Sequence, residues 1–145
     1  MPHVALGMQK ALFVRAGAKP TRVSAPRASI NIKQVDYQFV FSSRIQRGTH
    51  TIEVMNHGTQ PHELVIVKLA KGGTINDVLV SFEPGASSPP QGELVGGITG
   101  IEKGEQVRFT GEFGPGRYGL ICFVPDAITG RPHFLHGMTT EFTVE

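Results

Sequence analysis

Residues that bind metal ions are concentrated near the C-terminal end of the chain. The only cysteine, Cys122, is followed by His133, His136 and Met138 in one segment, and His62 lies upstream in the sequence Gln-Pro-His-Glu-Leu. Thiolate and thioether sulfurs favour Cu(I), whereas imidazoles also suit Cu(II). Two imidazoles, one thiolate and a weak axial thioether therefore suit a single copper ion that alternates between its two states. This donor set predicts the copper site of an electron carrier.

Two histidines of this segment compete for one coordination position. His133 precedes Met138 by five residues, which leaves enough chain for both side chains to turn toward one ion. Only Gly137 separates His136 from Met138. We therefore predict His133 as the ligand, with His136 as the alternative.

Cys122 has two other interpretations. A cysteine that follows Leu120 and Ile121 is often a small buried hydrophobe. A cysteine with histidines also serves nucleophilic catalysis, but such thiols usually lie at a helix N-terminus or beside cations. The histidines and the methionine that follow favour a metal ligand. We predict no enzyme activity, because one ion with four protein donors has no open position for a substrate.

The length, composition and charge of the chain indicate one all-β domain with a basic extension. A chain of 145 residues has room for one core, and 18 glycines and ten prolines indicate short strands and tight turns. Residues 1–30 contain five basic residues and no acid, since the first acid is Asp36, so they carry +5, and the nine basic and twelve acidic residues of 31–145 sum to −3. We predict a flexible extension over residues 1–30, resembling a degenerate leader, and a copper-binding domain over 31–145.

The sequence also argues against two classes of partner. The body of the chain has no basic face interleaved with aromatic residues, so nucleic-acid binding is not predicted. No run of eighteen apolar residues is present, which excludes a transmembrane helix.

Apolar residues that alternate with polar ones predict the strands that carry the candidate ligands. His62 lies where one strand begins, and Cys122 lies at the end of another. The predicted strands span residues 35–41, 49–56, 64–69, 106–113, 117–124 and 140–144.

One short helix and one long connection complete the predicted elements. Thr74 and Asp77 have the spacing of a capping box, and apolar residues follow at helical intervals, so a helix is expected near residues 74–83. Residues 84–104 are rich in Gly, Pro and Ser and predict an irregular surface connection. A Greek-key β-sandwich with this helix would gather its loops at one end and bring His62 to the C-terminal cluster.

The motifs around these residues resemble those of the cupredoxin family, the small blue copper proteins that include plastocyanin and azurin. The resemblance covers about residues 31–145, with the donor types in the family's order. It rests on Asn56-x-Gly58-x-x-x-His62, Gly116-x-Tyr118-x-x-x-Cys122 and His133-x-x-x-x-Met138 before a final strand.

The resemblance implies a type 1 copper site with one ion per chain. Carried over to this sequence, it implies His62, Cys122 and His133 as equatorial ligands and Met138 as the axial ligand. Two features depart from the family pattern: ten residues separate Cys122 from His133, and Glu63 follows His62. A long loop could open the site, so a red-copper protein or a carrier or store of copper is the alternative function.

The resemblance also implies a partner and a location. A soluble electron carrier of this family meets a redox partner protein near the second histidine ligand. In this chain, that patch would be the surface around His133, with Pro132, Phe134 and Leu135 at its rim. The family further implies an extracytoplasmic location, periplasmic or secreted.

Overall fold

The computed structural model describes residues 6–8, 10–13, 24–82, 85–87, 89 and 91–145. Much of the predicted basic extension lies outside these residues, so the predicted division between residues 1–30 and 31–145 stays a prediction. Ile30 already belongs to the first strand. The strands are β1 (Ile30–Val35), β2 (Gln38–Phe41), β3 (Gly48–Asn56), β4 (His62–Leu69), β5 (Gly92–Ile101), β6 (Gln106–Phe113), β7 (Gly116–Ile121) and β8 (Thr139–Val144), with helix α1 (Ile75–Val80) and a 3-10 turn (His133–His136).

The described strands form two four-stranded sheets that pack face to face. The first has the order β2-β1-β3-β6, and the second has the order β5-β4-β7-β8. Strands β1 and β3 run parallel, whereas the other neighbouring strands are antiparallel. The predicted all-β Greek-key sandwich is confirmed.

The core between the sheets is apolar and extends to the candidate ligands. Ile52 and Val54 of β3 face Leu64 of β4, and all three are fully buried because the inward positions of these strands alternate with polar ones. Cys122 and Met138 belong to the same packed cluster. The candidate sulfur donors therefore lie at one end of the main core, away from water.

The hairpin between β1 and β2 differs from the single strand predicted over residues 35–41. Asp36 and Tyr37 form its two-residue turn, since Val35 pairs with Gln38. Residues opposite each other in a hairpin share a face. The reversal therefore directs Gln34 inward, fully buried, and leaves Val35 only half-buried. The turn also places Asp36 and Tyr37 at the end of the sandwich that holds the candidate ligands.

The prediction of an irregular connection over residues 84–104 is wrong, because β5 occupies about half of this segment. This strand pairs only with β4, along an edge with two register shifts, and most of its side chains are exposed. Main-chain hydrogen bonds rather than alternating apolar residues define such an edge. Gly97 pairs with Val65 between the two shifts, and glycine is required there because a Cβ would clash with the carbonyl oxygen of Leu64.

The predicted helix is present as α1. Thr74 accepts a hydrogen bond from the Asp77 amide, and the Asp77 carboxylate accepts one from the Thr74 amide, which completes the capping box. Val78 buries the apolar side of the helix against Val67 and Ile121 on the outer face of the second sheet. Among the described residues, no helix has the length and apolar character needed to cross a bilayer.

Candidate metal centre

Three side chains converge at the end of the sandwich where β4 begins and β7 ends. His62 begins β4, Cys122 follows β7, and His133 begins the 3-10 turn before β8. The Nδ1 atoms of the two histidines are 3.0 Å apart, and Cys122 Sγ lies 3.4 Å from His133 Nδ1. The possible ligand atoms of the three residues all lie within 4.8 Å of one another. The three side chains are fully buried, so the sandwich brings together the predicted equatorial donors.

Burial shifts the pKa of Cys122 and that of His133. Burial raises the pKa of the Cys122 thiol, against the opposing effect of the backbone amide of Glu63. Burial also lowers the pKa of His133, and the neighbouring His62 lowers it further. A neutral imidazole is a competent metal ligand, whereas a protonated buried thiol without a cationic neighbour is a poor nucleophile. The raised pKa of Cys122 opposes nucleophilic catalysis, whereas a metal ion bound beside the two imidazoles would itself displace the thiol proton.

The segment before His62 is shaped by Asn56. Its amide nitrogen donates to the carbonyl oxygens of Gln60 and Ile101, both at 2.9 Å, and its oxygen accepts from the Gly58 amide at 2.8 Å. These bonds hold a tight loop between β3 and β4. The spacing between Asn56 and His62 in the sequence is therefore the length of this loop. The loop directs the imidazole of His62 inward.

The Cys122 sulfur is held by backbone and side-chain contacts from Glu63. The amide of Glu63 donates to Sγ at 3.4 Å, and its carboxylate accepts from the Phe123 amide at 2.8 Å. The buried Gln34 donates to the Glu63 carbonyl at 2.9 Å. Although Glu63 departs from the family pattern, its backbone supplies the hydrogen bond to sulfur. Gln34 was not identified from the sequence, because β1 also contains the polar residues Asn31 and Lys33 and nothing local marks Gln34 as buried.

Met138 is tied to both neighbouring donors through the backbone. Its amide donates to the His133 carbonyl at 3.0 Å, and its carbonyl accepts from the Cys122 amide at 3.2 Å. Its side chain is fully buried in the main core. Met138 therefore lies beside the three-donor cluster, and its role as the axial ligand stays a prediction.

His136 lies outside the cluster. Its Nε2 atom is 2.9 Å from Thr129 Oγ1, and its ring stacks on Tyr37 with the centroids 4.9 Å apart. The 3-10 turn directs His133 inward and His136 outward. The geometry therefore favours His133 over His136 as a ligand.

Solved structures with similar architecture identify the fold. An auracyanin from the photosynthetic bacterium Roseiflexus castenholzii superposes with a TM-score of 0.51 at 19% identity, over 79% of this chain and 94% of that chain. Auracyanin B superposes with a TM-score of 0.51 at 18% identity, over 85% and 94%. Auracyanins are blue copper cupredoxins. This chain has the cupredoxin fold. No family model matches the sequence, and no curated protein matches it.

The three donors of this domain fit a copper ion. The cluster combines one soft sulfur with two imidazole nitrogens, a donor set that suits copper. The buried Nε2 atom of His133 has no hydrogen-bond partner among the described residues. The Nδ1 atom of His133 faces His62 Nδ1 and Cys122 Sγ, so His133 would bind an ion through Nδ1.

The long loop between Cys122 and His133 is closed rather than open. The buried Asp126 accepts hydrogen bonds from Tyr37 at 2.6 Å and from Gln60 at 2.8 Å, and its other oxygen accepts from the Thr129 amide at 2.6 Å. A bridge between Pro125 and Pro132 closes the base of the loop. The extra residues between Cys122 and His133 thus form a turn built around one carboxylate.

We predict that Asp126→Asn weakens this loop and the acid resistance of the domain. Hydrogen bonds from Tyr37, Gln60 and Thr129 hold the pKa of Asp126 well below its ordinary value of 3.8. A carboxylate with a lowered folded-state pKa stabilises the fold above its unfolded-state pKa, and this contribution is lost as the pH falls. Thermal unfolding should show a lower Tm for the variant at neutral pH.

The pH dependence separates this effect from general damage. The difference in Tm between Asp126→Asn and the wild type should shrink as the pH is lowered from about 5 toward about 1. Glu112→Gln, which removes one charge from an exposed position of β6, is the matched control and should leave Tm nearly unchanged. A Tm difference that stays constant with pH would show that the carboxylate charge does not stabilise the loop.

Three further residues at this end of the fold were not identified from the sequence as part of the site. Tyr37 covers His133, with the ring centroids 5.1 Å apart. Gln60 joins Asp126 to the loop before His62. Asp36 Oδ1 lies 2.5 Å from His62 Nε2. Asp36 and Tyr37 come from the β1–β2 turn, which the sequence pattern had predicted as continuous strand.

Proposed function

We propose that this chain is a type 1 copper protein that carries single electrons between partner proteins. The observation that carries the proposal is the convergence of His62 Nδ1, His133 Nδ1 and Cys122 Sγ in a fully buried cluster. A bound copper ion would supply one-electron redox chemistry, alternating between Cu(II) and Cu(I). The protein would supply the His2Cys plane, with Met138 as a weak axial donor, and the exclusion of water.

The rigidity of the donor set supports a redox role. Each donor is fixed from a separate backbone element, and each element is braced by hydrogen bonds that do not involve the ion. A site with little freedom to rearrange keeps nearly the same geometry in both oxidation states, which suits rapid electron exchange. The absence of an open coordination position in this four-donor set is consistent with a carrier rather than an enzyme.

The surface beyond His133 is the proposed docking site for a redox partner. His133 itself is buried beneath Tyr37, and Tyr37 stacks on the half-buried His136. Pro132, Phe134 and the half-exposed Leu135 adjoin His133 and His136 in the chain. An electron would therefore cross from the His133 side through the Tyr37 and His136 rings to a partner on this apolar surface. Small patches suffice for weak redox encounters. We also propose an extracytoplasmic location, as the cupredoxin resemblance implies.

The visible spectrum of the purified protein tests this function. After addition of one equivalent of Cu(II), we expect an intense absorption band toward the red end of the spectrum from charge transfer between the Cys122 thiolate and copper. The band should vanish with ascorbate and return with ferricyanide over repeated cycles. A colourless Cu(II) complex, or a band lost irreversibly on reduction, would overturn the proposal.

The rate of copper loss distinguishes an electron carrier from a copper carrier or store. A protein that delivers copper needs a site from which the ion exchanges, whereas the donors of this site are fully buried. The loop built on Asp126 closes one side of the site. We therefore expect slow transfer of copper to an excess of a strong chelator. Complete transfer within the mixing time would favour delivery or storage.

We predict that Met138→Leu retains the copper colour and raises the reduction potential. A thioether is a weak axial donor, so its loss leaves the His2Cys plane intact and disfavours Cu(II) more than Cu(I). Leucine is close to methionine in volume, so the buried site should lose less than about 1.5 kcal/mol of stability. Voltammetry of the two proteins checks the shift. An unchanged or lower potential with copper bound would identify Met138 as a core residue only.

A further inference from the structure

The second ring nitrogen of His62 is held by a carboxylate. Nε2 of His62 lies 2.5 Å from Asp36 Oδ1 on the side of the ring opposite the donor cluster. The other carboxylate oxygen of Asp36 accepts from the Thr59 amide at 2.9 Å and from the Thr59 hydroxyl at 2.5 Å. The sequence patterns that predict copper ligands do not include Asp36 or Thr59.

The packing leaves this pair little freedom. His62 is fully buried, and the Asp36 side chain is 20% exposed. Gly58 lies against both groups, because a Cβ on this residue would be 2.5 Å from His62 Nε2 and closer still to Asp36 Oδ1. A surface ion pair contributes little to stability because its members are mobile and screened. Here one member is buried and the other is fixed by two donors of Thr59, so the contact defines the orientation of the ring.

The contact also defines which nitrogen of His62 carries the proton. A carboxylate accepts hydrogen bonds, so Nε2 is the protonated nitrogen and Nδ1 presents its lone pair to His133 and Cys122. A carboxylate on the second nitrogen makes a metal-bound imidazole a stronger donor. A stronger donor stabilises the more highly charged Cu(II) over Cu(I).

We propose that Asp36 is a positioning residue of the metal centre that orients His62, strengthens its bond to Cu(II) and lowers the reduction potential. Thr59 holds the carboxylate in place, and Gly58 provides the space for the contact. The proposal rests on the copper-binding function proposed above and extends it to the β1–β2 turn. In this arrangement the turn between two strands of the first sheet tunes a donor on the second sheet.

Asp36→Asn tests the proposal directly. The amide keeps the size of the side chain but removes the charge and weakens the acceptor. We expect a higher reduction potential and a loss of about 10- to 100-fold in Cu(II) affinity, the range typical of partners behind a metal ligand. Voltammetry and competition with a chelator measure the two quantities on the full chain.

Glu63→Gln is the matched control for charge. Its carboxylate is also near the cluster but contacts the Phe123 amide rather than a ligand imidazole. If Asp36 acts through His62, Asp36→Asn should shift the potential upward by at least twice the shift of Glu63→Gln. Equal shifts for the two variants, or a wild-type potential and Cu(II) affinity in Asp36→Asn, would overturn the proposal.

Two further variants keep the carboxylate and disturb only its contact. Thr59→Val removes the hydroxyl that holds Asp36, and Gly58→Ala places a methyl group between Asp36 and His62. Both should raise the potential without a change of charge, which separates the hydrogen bond from a general Coulomb effect. These variants also test the proposal if Asp36→Asn does not fold. Wild-type potentials in both would count against it.

The copper-free protein provides a measurement that does not depend on the proposed function. Nitrogen-15 correlation spectra of the imidazole rings should show His62 protonated at Nε2 in the wild type and a shift toward the other tautomer in Asp36→Asn. A wild-type ring protonated at Nδ1 would refute the role of Asp36. A wild type with this tautomer but no copper-thiolate band would instead refute the copper function alone.

Discussion

Cys122→Ser should abolish the intense visible band of the copper-loaded protein. The band requires charge transfer from a thiolate, and the chain contains no other cysteine. A hydroxyl oxygen is also a poor ligand for soft Cu(I), so the variant should bind Cu(I) far more weakly than the wild type. Absorption spectra after addition of Cu(II), and competition for Cu(I), measure both effects.

The fold should survive this substitution. Serine is nearly the size of cysteine, and its oxygen can still accept the hydrogen bond from the Glu63 amide. Burial of a hydroxyl in the main core should lower the free energy of unfolding of the copper-free protein by about 1–3 kcal/mol. Far-ultraviolet circular dichroism and thermal unfolding provide the control. An intense red band in a folded Cys122→Ser protein would mean that the chromophore lies elsewhere.

His133→Ala and His136→Ala should have opposite outcomes. His133 is buried with Nδ1 3.4 Å from Cys122 Sγ, whereas His136 contacts Thr129 and Tyr37 outside the cluster. Loss of a partner behind a metal ligand costs about 10- to 100-fold in affinity, so loss of the ligand itself should cost more than about 100-fold. His133→Ala should therefore lose the blue colour, and His136→Ala should retain it.

Each of these variants is the matched control for the other. Both remove an imidazole from the same 3-10 turn, so a general effect on the turn would appear in both spectra. Copper affinity and the position of the visible band provide the comparison. The reverse result, with colour retained only in His133→Ala, would make His136 the ligand.

The types and order of the candidate donors are properties of the sequence. One cysteine before a loop with two histidines and a methionine limits the metal to those that accept mixed sulfur and imidazole donors. Alternation in β3, β6 and β8 predicts an all-β sandwich because each strand must bury one face. The capping box of Thr74 and Asp77 is equally local, since its partners are three residues apart.

Tertiary structure alone decided the surroundings of these donors. Asp36 and His62 are 26 residues apart, and Tyr37 and Asp126 are 89 residues apart, so no local spacing indicates either contact. The residue pattern from Val35 onward looks like one strand because a two-residue hairpin turn leaves polar and apolar residues alternating along the chain. The reversal becomes visible only when the two halves pair.

The dependence on long-range contacts also explains the other features that the sequence did not determine. Strand β5 is held at a sheet edge by main-chain hydrogen bonds to β4, and such bonds leave no signature in side-chain type. The choice between His133 and His136 depends on the direction of a 3-10 turn, which is fixed by bonds from His133 to Val124 and from Phe134 to Cys122. Local spacing specifies which residues can bind a metal, whereas long-range backbone contacts specify which of them come together and which other residues contact them.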